Sequence, residues 1–234
     1  MPEVGLRGEV AAAMKLRAFF FSGVFVLGCS SARNMSTDDG GSSSDAGSSV
    51  VDTGVNACTY PQQNIGTSPG NTVRSSFTWD GYAAGSTQET MIASKDLFDC
   101  DGSKGINAII FDVSAEWCPA CESEAADMHS LADKYDALGI KVITLMIQDA
   151  SHNPAMLDTV DRWMKMYDLK GFDVAADPGF SFQPYGSGSL NLPYNVIVDP
   201  RTMTIVKTKQ GYIAAYPLSP DADAVAVAKR NGAQ

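Results

Sequence analysis

Two cysteines separated by two residues, Cys118 and Cys121, form the chemically most informative pattern of this 234-residue sequence, which contains five cysteines. They stand where an apolar, strand-like run ends and a helix-like pattern begins, with Trp117 before them and Pro119 between them. A cysteine at a helix N-terminus gains from unpaired amides and the helix dipole, which favour its thiolate. Cys121 lies one turn further on. The spacing therefore predicts a disulfide that opens and closes, with Cys118 as the nucleophile.

Three other uses of this spacing are weighed against that one. A zinc site requires two further ligands, but Cys58 and Cys100 are far apart and only two histidines are present. A purely structural disulfide would close too short a loop to stabilise much chain. A peroxide-reacting cysteine of the peroxiredoxin kind follows a proline–threonine pair, whereas Ala115 stands three residues before Cys118. We expect neither a metal nor a cofactor.

The segments around the pair have the periodicity of an α/β domain. Residues 107–113 and 140–147 are apolar runs typical of strands that are covered on both faces. Between them, apolar residues recur at helical spacing, and Gly139 is the expected end of this single helix. A second helix is expected from the cap Asn153-Pro154 to Gly171.

The remaining elements complete the predicted fold. A strand near residues 172–176 precedes a hairpin of strands 194–198 and 203–208, with a proline-containing turn between them. Ser219-Pro220-Asp221 starts a final helix. The order β-α-β-α-β-β-β-α predicts a parallel core with an antiparallel edge, in a domain covering residues 105–234.

The N-terminal part has the pattern of an export signal. Met14 is followed by two cationic residues, an apolar run too short to span a bilayer, and a small residue before Cys29. We interpret residues 1–28 as a signal peptide whose natural start is Met14. The ending Val26-Leu27-Gly28-Cys29 resembles the lipobox of bacterial lipoproteins, which implies lipidation of Cys29.

Composition suggests how the domain is held. Residues 29–57 consist mainly of Ser, Gly and Asp, which is typical of a flexible tether. The formal charge of -10 argues against nucleic acid as a partner. The lipoprotein resemblance implies an anchor on the periplasmic side of a bacterial cell envelope. Ser30 and Ser31 favour the outer membrane, because they lack the aspartate that retains many lipoproteins at the inner one.

Residues 58–104 fit no clean period. We expect an irregular N-terminal extension with a hairpin around residues 73–82. In an exported protein, Cys58 and Cys100 are expected to pair with each other and pin the extension to the domain. The alternative is a second redox pair that passes electrons to Cys121.

Two segments carry a family resemblance. Residues 112–121, DVSAEWCPAC, resemble the active-site segment of thioredoxins, and still more that of the membrane-tethered thioredoxin-like redoxins of the TlpA and ResA kind. Residues 190–199, LNLPYNVIVD, match the second family segment, where a cis-proline faces the cysteines and nearby backbone binds the substrate as an added strand. The resemblance covers roughly residues 105–230. It implies a thioredoxin-like fold, with a central mixed sheet flanked by helices.

The resemblance also implies an activity. The protein would be a thiol:disulfide oxidoreductase that reduces disulfides in partner proteins, supplied by an electron donor in the membrane. Its implied catalytic residues are the attacking Cys118, the resolving Cys121, the proton acceptor Asp112 and the cis-proline Pro193. The implied substrate-binding residues are Trp117, Pro119 and Leu192. For Asp112, the alternative is a strand-end carboxylate that faces solvent or caps the turn.

Other residues have open roles. Glu124 stands where TlpA-like proteins often carry a glutamate, although complementarity with the helix dipole is an alternative. The negative charges of three glutamates should oppose formation of the Cys118 thiolate and imply basic or neutral partner surfaces; they are Glu116, Glu122 and Glu124. His129 and His152 are expected in surface or cap roles. Three aromatic residues either line the substrate groove or pack against the last helix; they are Phe180, Phe182 and Tyr185.

Two other functions are considered. One is a thiol peroxidase of the wider redoxin group, in which Cys118 would react with peroxide. The other is a thioredoxin-like binding module that holds a metal or presents its thiols to a partner without turnover.

Overall fold

The computed structural model describes residues 58–184, 190–212 and 221–234. Its strands are β1 (Thr78–Tyr82), β2 (Glu89–Ala93), β3 (Ala108–Ala115), β4 (Ile140–Gln148), β5 (Asp173–Ala176), β6 (Tyr194–Asp199) and β7 (Thr204–Gln210). Its helices are α1 (Pro119–His129), α2 (Ala132–Leu138), α3 (Leu157–Tyr167) and α4 (Asp221–Arg230), with a short 3-10 helix at Ser94–Leu97. The predicted signal peptide, Cys29, the tether and Tyr185 lie outside the described residues. No helix within those residues is long and apolar enough to cross a membrane.

The strand before the two cysteines lies inside a seven-stranded mixed sheet with the order β2-β1-β5-β4-β3-β6-β7. β3, β4 and β5 are parallel, β6 is antiparallel to β3, and β7 is antiparallel to β6. All eight residues of β3 are buried, as the continuous apolar run predicts. The predicted parallel core with an antiparallel edge is confirmed. The hairpin of β1 and β2 adds a second antiparallel edge to the sheet. A hairpin was predicted in the extension, but its pairing with the central sheet was not.

Parallel strands bring their carboxyl ends to one edge of the sheet. Ala115 pairs with Gln148, and Met146 pairs with Ala176, so β3, β4 and β5 end side by side. The cysteine turn follows β3 and therefore lies at this edge. Neighbouring residues of β3 point to opposite faces, so Phe111 and Asp112 contact different layers of the protein.

The N-terminal extension covers the face to which Phe111 points. β1 pairs with β2 on one side and with β5 on the other. The second strand of the hairpin, β2, lies at Glu89–Ala93, so its predicted position within residues 73–82 is wrong. Phe182 packs on Phe111 with ring centroids 4.6 Å apart and also contacts Phe77 and Trp79. Both interpretations of Phe182 are wrong, because this aromatic cluster buries it beneath the extension.

Two helix boundaries differ from the prediction for local reasons. The first helix breaks at Ser130, whose hydroxyl donates to the carbonyl of Asp127 at 2.7 Å and competes with the backbone. α3 begins at Leu157 instead of at Pro154. Asn153 is held by Asp149 in the preceding loop, and Pro154 pairs with Gln148.

Cys58 and Cys100 are joined in a disulfide with Cα atoms 5.8 Å apart. The adjacent Asp99 donates its amide to the carbonyl of Pro200, which follows β6 at the edge opposite the cysteine turn. β3 spans eight residues between these two edges, or roughly 25 Å at the rise of a strand. This separation is too large for direct thiol–disulfide exchange between Cys58–Cys100 and Cys121. The alternative of a second redox pair that passes electrons to Cys121 therefore does not fit the structure.

Removal of the Cys58–Cys100 disulfide should destabilise the fold. The bond closes a loop with a sequence separation of 42. The chain-entropy relation then predicts a loss of about 4 kcal/mol in the free energy of unfolding. Urea denaturation of the Cys58→Ala/Cys100→Ala variant measures this loss. The matched Cys118→Ala/Cys121→Ala variant opens a separation of only 3 and should lose less; equal losses would contradict the structural role.

Candidate active site

The first helix begins at the first cysteine. Cys118 is the N-cap of α1, and its sulfur accepts a hydrogen bond from the amide of Cys121 at 3.2 Å. Pro119 occupies the first turn, where a missing amide proton costs nothing. The two sulfurs are joined in a disulfide with Cα atoms 5.2 Å apart. Cys118 is 4% exposed and Cys121 is 1% exposed, so a partner reaches Cys118 first.

Asp112 lies in the interior beneath the cysteine turn. Its side chain accepts hydrogen bonds from the hydroxyls of Ser114 at 2.9 Å and Thr144 at 3.1 Å. The solvent-facing alternative for Asp112 is wrong, because the residue is 1% exposed. Burial raises the pKa of Asp112 to about 6, although the two hydroxyl bonds favour the carboxylate. The carboxyl group therefore changes its charge near neutral pH.

The sheet register places polar residues in one row across three strands. Asp112 pairs with Thr144 on β4 and with Asn195 on β6. Glu124 approaches this row from α1, and its Oε1 accepts a hydrogen bond from Nδ2 of Asn195 at 2.9 Å. Both Glu124 and Asn195 are fully buried. The acidic residue in the first turn of α1 is Glu122, and Glu124 lies beyond that turn. The alternative role of Glu124 in complementing the helix dipole from the first turn is therefore wrong.

The two buried acids influence each other. Burial and, after it, the negative charge of Asp112 raise the pKa of Glu124 to about 9. The two acids therefore titrate as one coupled pair, and the larger rise in the pKa of Glu124 favours Glu124 as the member that keeps a proton at neutral pH. The expectation that Glu124 opposes the Cys118 thiolate through its own charge is therefore wrong.

Glu116 is also compensated. Its carboxylate accepts two hydrogen bonds from Arg162, from Nε and from Nη2, each at 2.9 Å. The amide of Ala150 donates a third hydrogen bond. The bond from Arg162 is the main cause that holds the pKa of Glu116 below its usual range. This ion pair ties the cysteine turn to α3 and offsets the charge two residues before Cys118.

Trp117 forms the exposed side of the turn. Its indole is 38% exposed, and Nε1 donates to Oε1 of Gln148 at 2.9 Å. The ring lies 4.8 Å from that of His152, centroid to centroid. Gln148 in turn donates to the carbonyl of His152 at 3.1 Å. The apolar surface beside Cys118 is therefore held in a defined orientation.

The predicted residues of the second segment meet the turn from β6. The peptide bond between Leu192 and Pro193 is cis. Val113 pairs with Tyr194 in the antiparallel register. Pro193, one residue before Tyr194, therefore lies beside the end of β3. Pro193 is buried and Leu192 is partly buried, whereas Pro119 is exposed beside the cysteines. All the predicted catalytic and substrate-binding residues thus gather at one edge of the sheet.

Asn195 and Arg162 are among the residues of this site that sequence reasoning missed. Asn195 interrupts an apolar strand, and a polar residue within such a run was a usable signal. Arg162 gave no signal, because its pairing with Glu116 depends on how α3 packs. No group of three or more His, Cys, Asp or Glu side chains within the described ranges is arranged to hold a metal ion.

Comparison of the sequence with protein families gives one match, which covers residues 85–207 and describes the AhpC/TSA family. The chain belongs to the AhpC/TSA family. Its assignment as a redoxin is therefore confirmed. The match begins before β2 and ends within β7, so it includes the cysteine turn and Pro193. Curated proteins give no significant match to this redoxin.

One of the similar solved structures, with a TM-score of 0.50, supports the same fold. A Chlorobium tepidum protein assigned as the thiol:disulfide interchange protein DsbE is 18% identical, with 70% of this chain and 98% of that chain covered and a TM-score of 0.50. The peroxidoxin BcpB of Mycobacterium tuberculosis is 12% identical, with 70% and 97% covered and a TM-score of 0.47. At these identities the likeness concerns the fold. The thioredoxin-like fold is confirmed, and together with family membership it supports the thiol:disulfide oxidoreductase class.

Substitution of Arg162 by alanine should slow the reaction of Cys118 with alkylating agents. The loss of the guanidinium leaves the charge of Glu116 uncompensated near the developing thiolate. In the reduced protein, the rate of iodoacetamide alkylation at neutral pH should fall about threefold, and its pH profile should move to higher pH.

Lys165→Ala is the matched control, because Lys165 lies on the same helix and pairs with Asp161. It should leave the rate of Cys118 alkylation unchanged. The Arg162→Ala/Glu116→Gln double variant should restore the rate. An alkylation rate in Arg162→Ala equal to that of the wild type would refute the charge compensation.

Proposed function

We propose that this redoxin reduces disulfides in partner proteins, and that it does so outside the cytoplasm while tethered to a membrane. The observation that carries the activity is the joined pair Cys118–Cys121 at the start of α1, with the titratable Asp112 buried beneath it. The tether rests on the export signal and on the lipobox ending at Cys29. We propose the periplasmic side of a bacterial envelope, with the outer membrane preferred.

The first step is attack on the partner. In the reduced protein, the Cys118 thiolate attacks one sulfur of a partner disulfide. A new bond forms between Cys118 and that sulfur, the partner's own disulfide bond breaks, and the second partner sulfur leaves as a thiolate. The helix N-terminus stabilises the attacking thiolate, and the compensation of Glu116 by Arg162 removes an opposing charge.

The second step is release of the partner. Asp112 in its carboxylate form accepts the proton of the Cys121 thiol, and the resulting thiolate attacks the sulfur of Cys118. The bond between Cys118 and the partner breaks, and the partner leaves with two more electrons than it brought. The protein is left with the Cys118–Cys121 disulfide, in the state that the structure contains.

A further turnover requires two electrons. We propose that a dithiol donor in the membrane supplies them, by attack on the exposed side of the same disulfide. We propose that Trp117, Pro119 and Leu192 contact both partners. The formal charge of -10 favours partners with basic or neutral surfaces near their cysteines.

A thiol peroxidase is the second candidate, and membership of the AhpC/TSA family favours it. In that reaction Cys118 would reduce a peroxide, and Cys121 would then close the disulfide. Consumption of peroxide that depends on Cys118 would support this function. Stoichiometric copper binding by the reduced protein, without disulfide reductase activity, would instead support a binding module.

Substitution of Asp112 by asparagine should slow the release of the partner. A mixed disulfide between the reduced protein and a disulfide-containing peptide forms first, and its decay reports the step at Cys121. In the wild type the decay rate should rise with pH through about 6, because the carboxylate form is the base and exists above that pH. Asp112→Asn should lose this rise and decay about 10-fold to 100-fold more slowly at neutral pH.

Asp177→Asn is the matched control for this experiment. Asp177 is also buried and accepts hydrogen bonds from Ser181, but it lies in the loop after β5. Its substitution should leave the decay rate of the mixed disulfide unchanged. A wild-type pH profile in Asp112→Asn would rule out Asp112 as the base, and failure of any mixed disulfide to form would rule out the reductase function.

A further inference from the structure

Glu124 and Asn195 each have one buried side-chain atom without a hydrogen-bond partner. Four buried side-chain atoms in the described part of the chain have no hydrogen-bond partner: Glu124 Oε2, Asn195 Oδ1, Tyr135 Oη and Trp163 Nε1. Glu124 and Asn195 already share one hydrogen bond, from Nδ2 to Oε1 at 2.9 Å. The unused atom of each residue is therefore the second atom of a planar group that is already engaged with its neighbour.

Protonation state decides whether these two atoms are satisfied. An ionised carboxylate can only accept hydrogen bonds, and so can an amide oxygen, so ionised Glu124 leaves both atoms unpaired. A buried polar atom without a hydrogen-bond partner is costly in free energy. A protonated carboxyl group has a donor on Oε2. An acid and a primary amide then satisfy each other through two antiparallel hydrogen bonds.

We propose that Asn195 holds the proton of Glu124 on Oε2 through an acid–amide pair and thereby keeps Asp112 as the ionised member of the two buried acids. Asn195 is then a positioning residue of the site. The proposal deepens the function proposed above, because it rests on Asp112 as the base that serves Cys121.

The surroundings of the two acids favour an ionised Asp112 and a neutral Glu124. Asp112 accepts from two hydroxyl donors, Ser114 and Thr144, which suit an anion. Four groups interact electrostatically with Glu124: Asp112 on β3, Asp127 on α1, Tyr135 on α2 and Tyr212 after β7. None of these four is a cation. The hydrogen bond from Nδ2 of Asn195 favours the charged form of Glu124, but burial and the charge of Asp112 outweigh it and raise the pKa.

The acid–amide pair also directs the proton away from the base. A free O–H on Glu124 could donate to the carboxylate of Asp112, and such a bond would lower the proton affinity of Asp112. While Asn195 holds this proton, Asp112 keeps its capacity to accept the proton of Cys121. Without Asn195, the release step should be slower.

Infrared spectroscopy of the purified oxidised protein tests the pair directly. The wild-type spectrum minus that of Glu124→Gln isolates the carbonyl stretch of Glu124. We expect a protonated carboxyl band at pH 7, at the lowered wavenumber of an acid that both donates and accepts. In Asn195→Leu, which has nearly the same size, this band should move to higher wavenumber.

Asp177→Asn is the matched control, because Asp177 is also a buried carboxyl group, but it lies in the loop after β5 and accepts its hydrogen bonds from Ser181. The Glu124 band should not move in this variant. The absence of a protonated band at pH 7, or a band that stays in place in Asn195→Leu, would overturn the proposal. The spectrum needs no partner and no turnover, so it stays informative even if the reductase function fails.

A second measurement covers the case in which Asn195→Leu does not fold. The side-chain carbonyl carbon of Asn195 in the wild-type protein is followed by NMR as the pH rises through about 9, where Glu124 loses its proton. Its resonance should shift together with the loss of the infrared band. A resonance that stays constant through this titration would equally overturn the acid–amide pair.

Discussion

Two carboxyl groups are buried behind one disulfide, and an apolar interior cannot hold both of them as anions. Desolvation alone raises the pKa of each acid, and the charge on one raises the pKa of the other. The site therefore keeps one proton through neutral pH. That single proton gives the two acids different roles. Asp112 is available to accept a proton from Cys121, and Glu124 stays neutral on the buried side of α1.

The fold supplies this arrangement through strand register and helical spacing. Thr144, Asp112 and Asn195 face one another because β4, β3 and β6 pair in register across the sheet. Cys121 and Glu124 lie three residues apart on α1 and so share its buried side. Because α1 begins at Cys118, the more exposed sulfur lies at the positive end of the helix. One strand and one helix thus position the thiols and both acids.

Local patterns predicted most of this arrangement, and long-range contacts account for the rest. The apolar run before Cys118 and the helical stripe after it were sufficient for β3 and α1. Asn195 and Arg162 were missed because their partners are 71 and 46 residues away in sequence, so their roles depend on register and packing. The break at Ser130 arises from a side chain that competes with the backbone, which apolar periodicity does not report.

The reduction potential of the Cys118–Cys121 couple tests the central claim most directly. The protein is equilibrated with defined thiol buffers, and the two cysteines are read by mass after alkylation. A reductase supplied by a membrane donor predicts a potential near or below about -270 mV, at the thioredoxin end of the scale. A potential near about -120 mV, at the strongly oxidising end, would make the protein a disulfide donor and contradict the account.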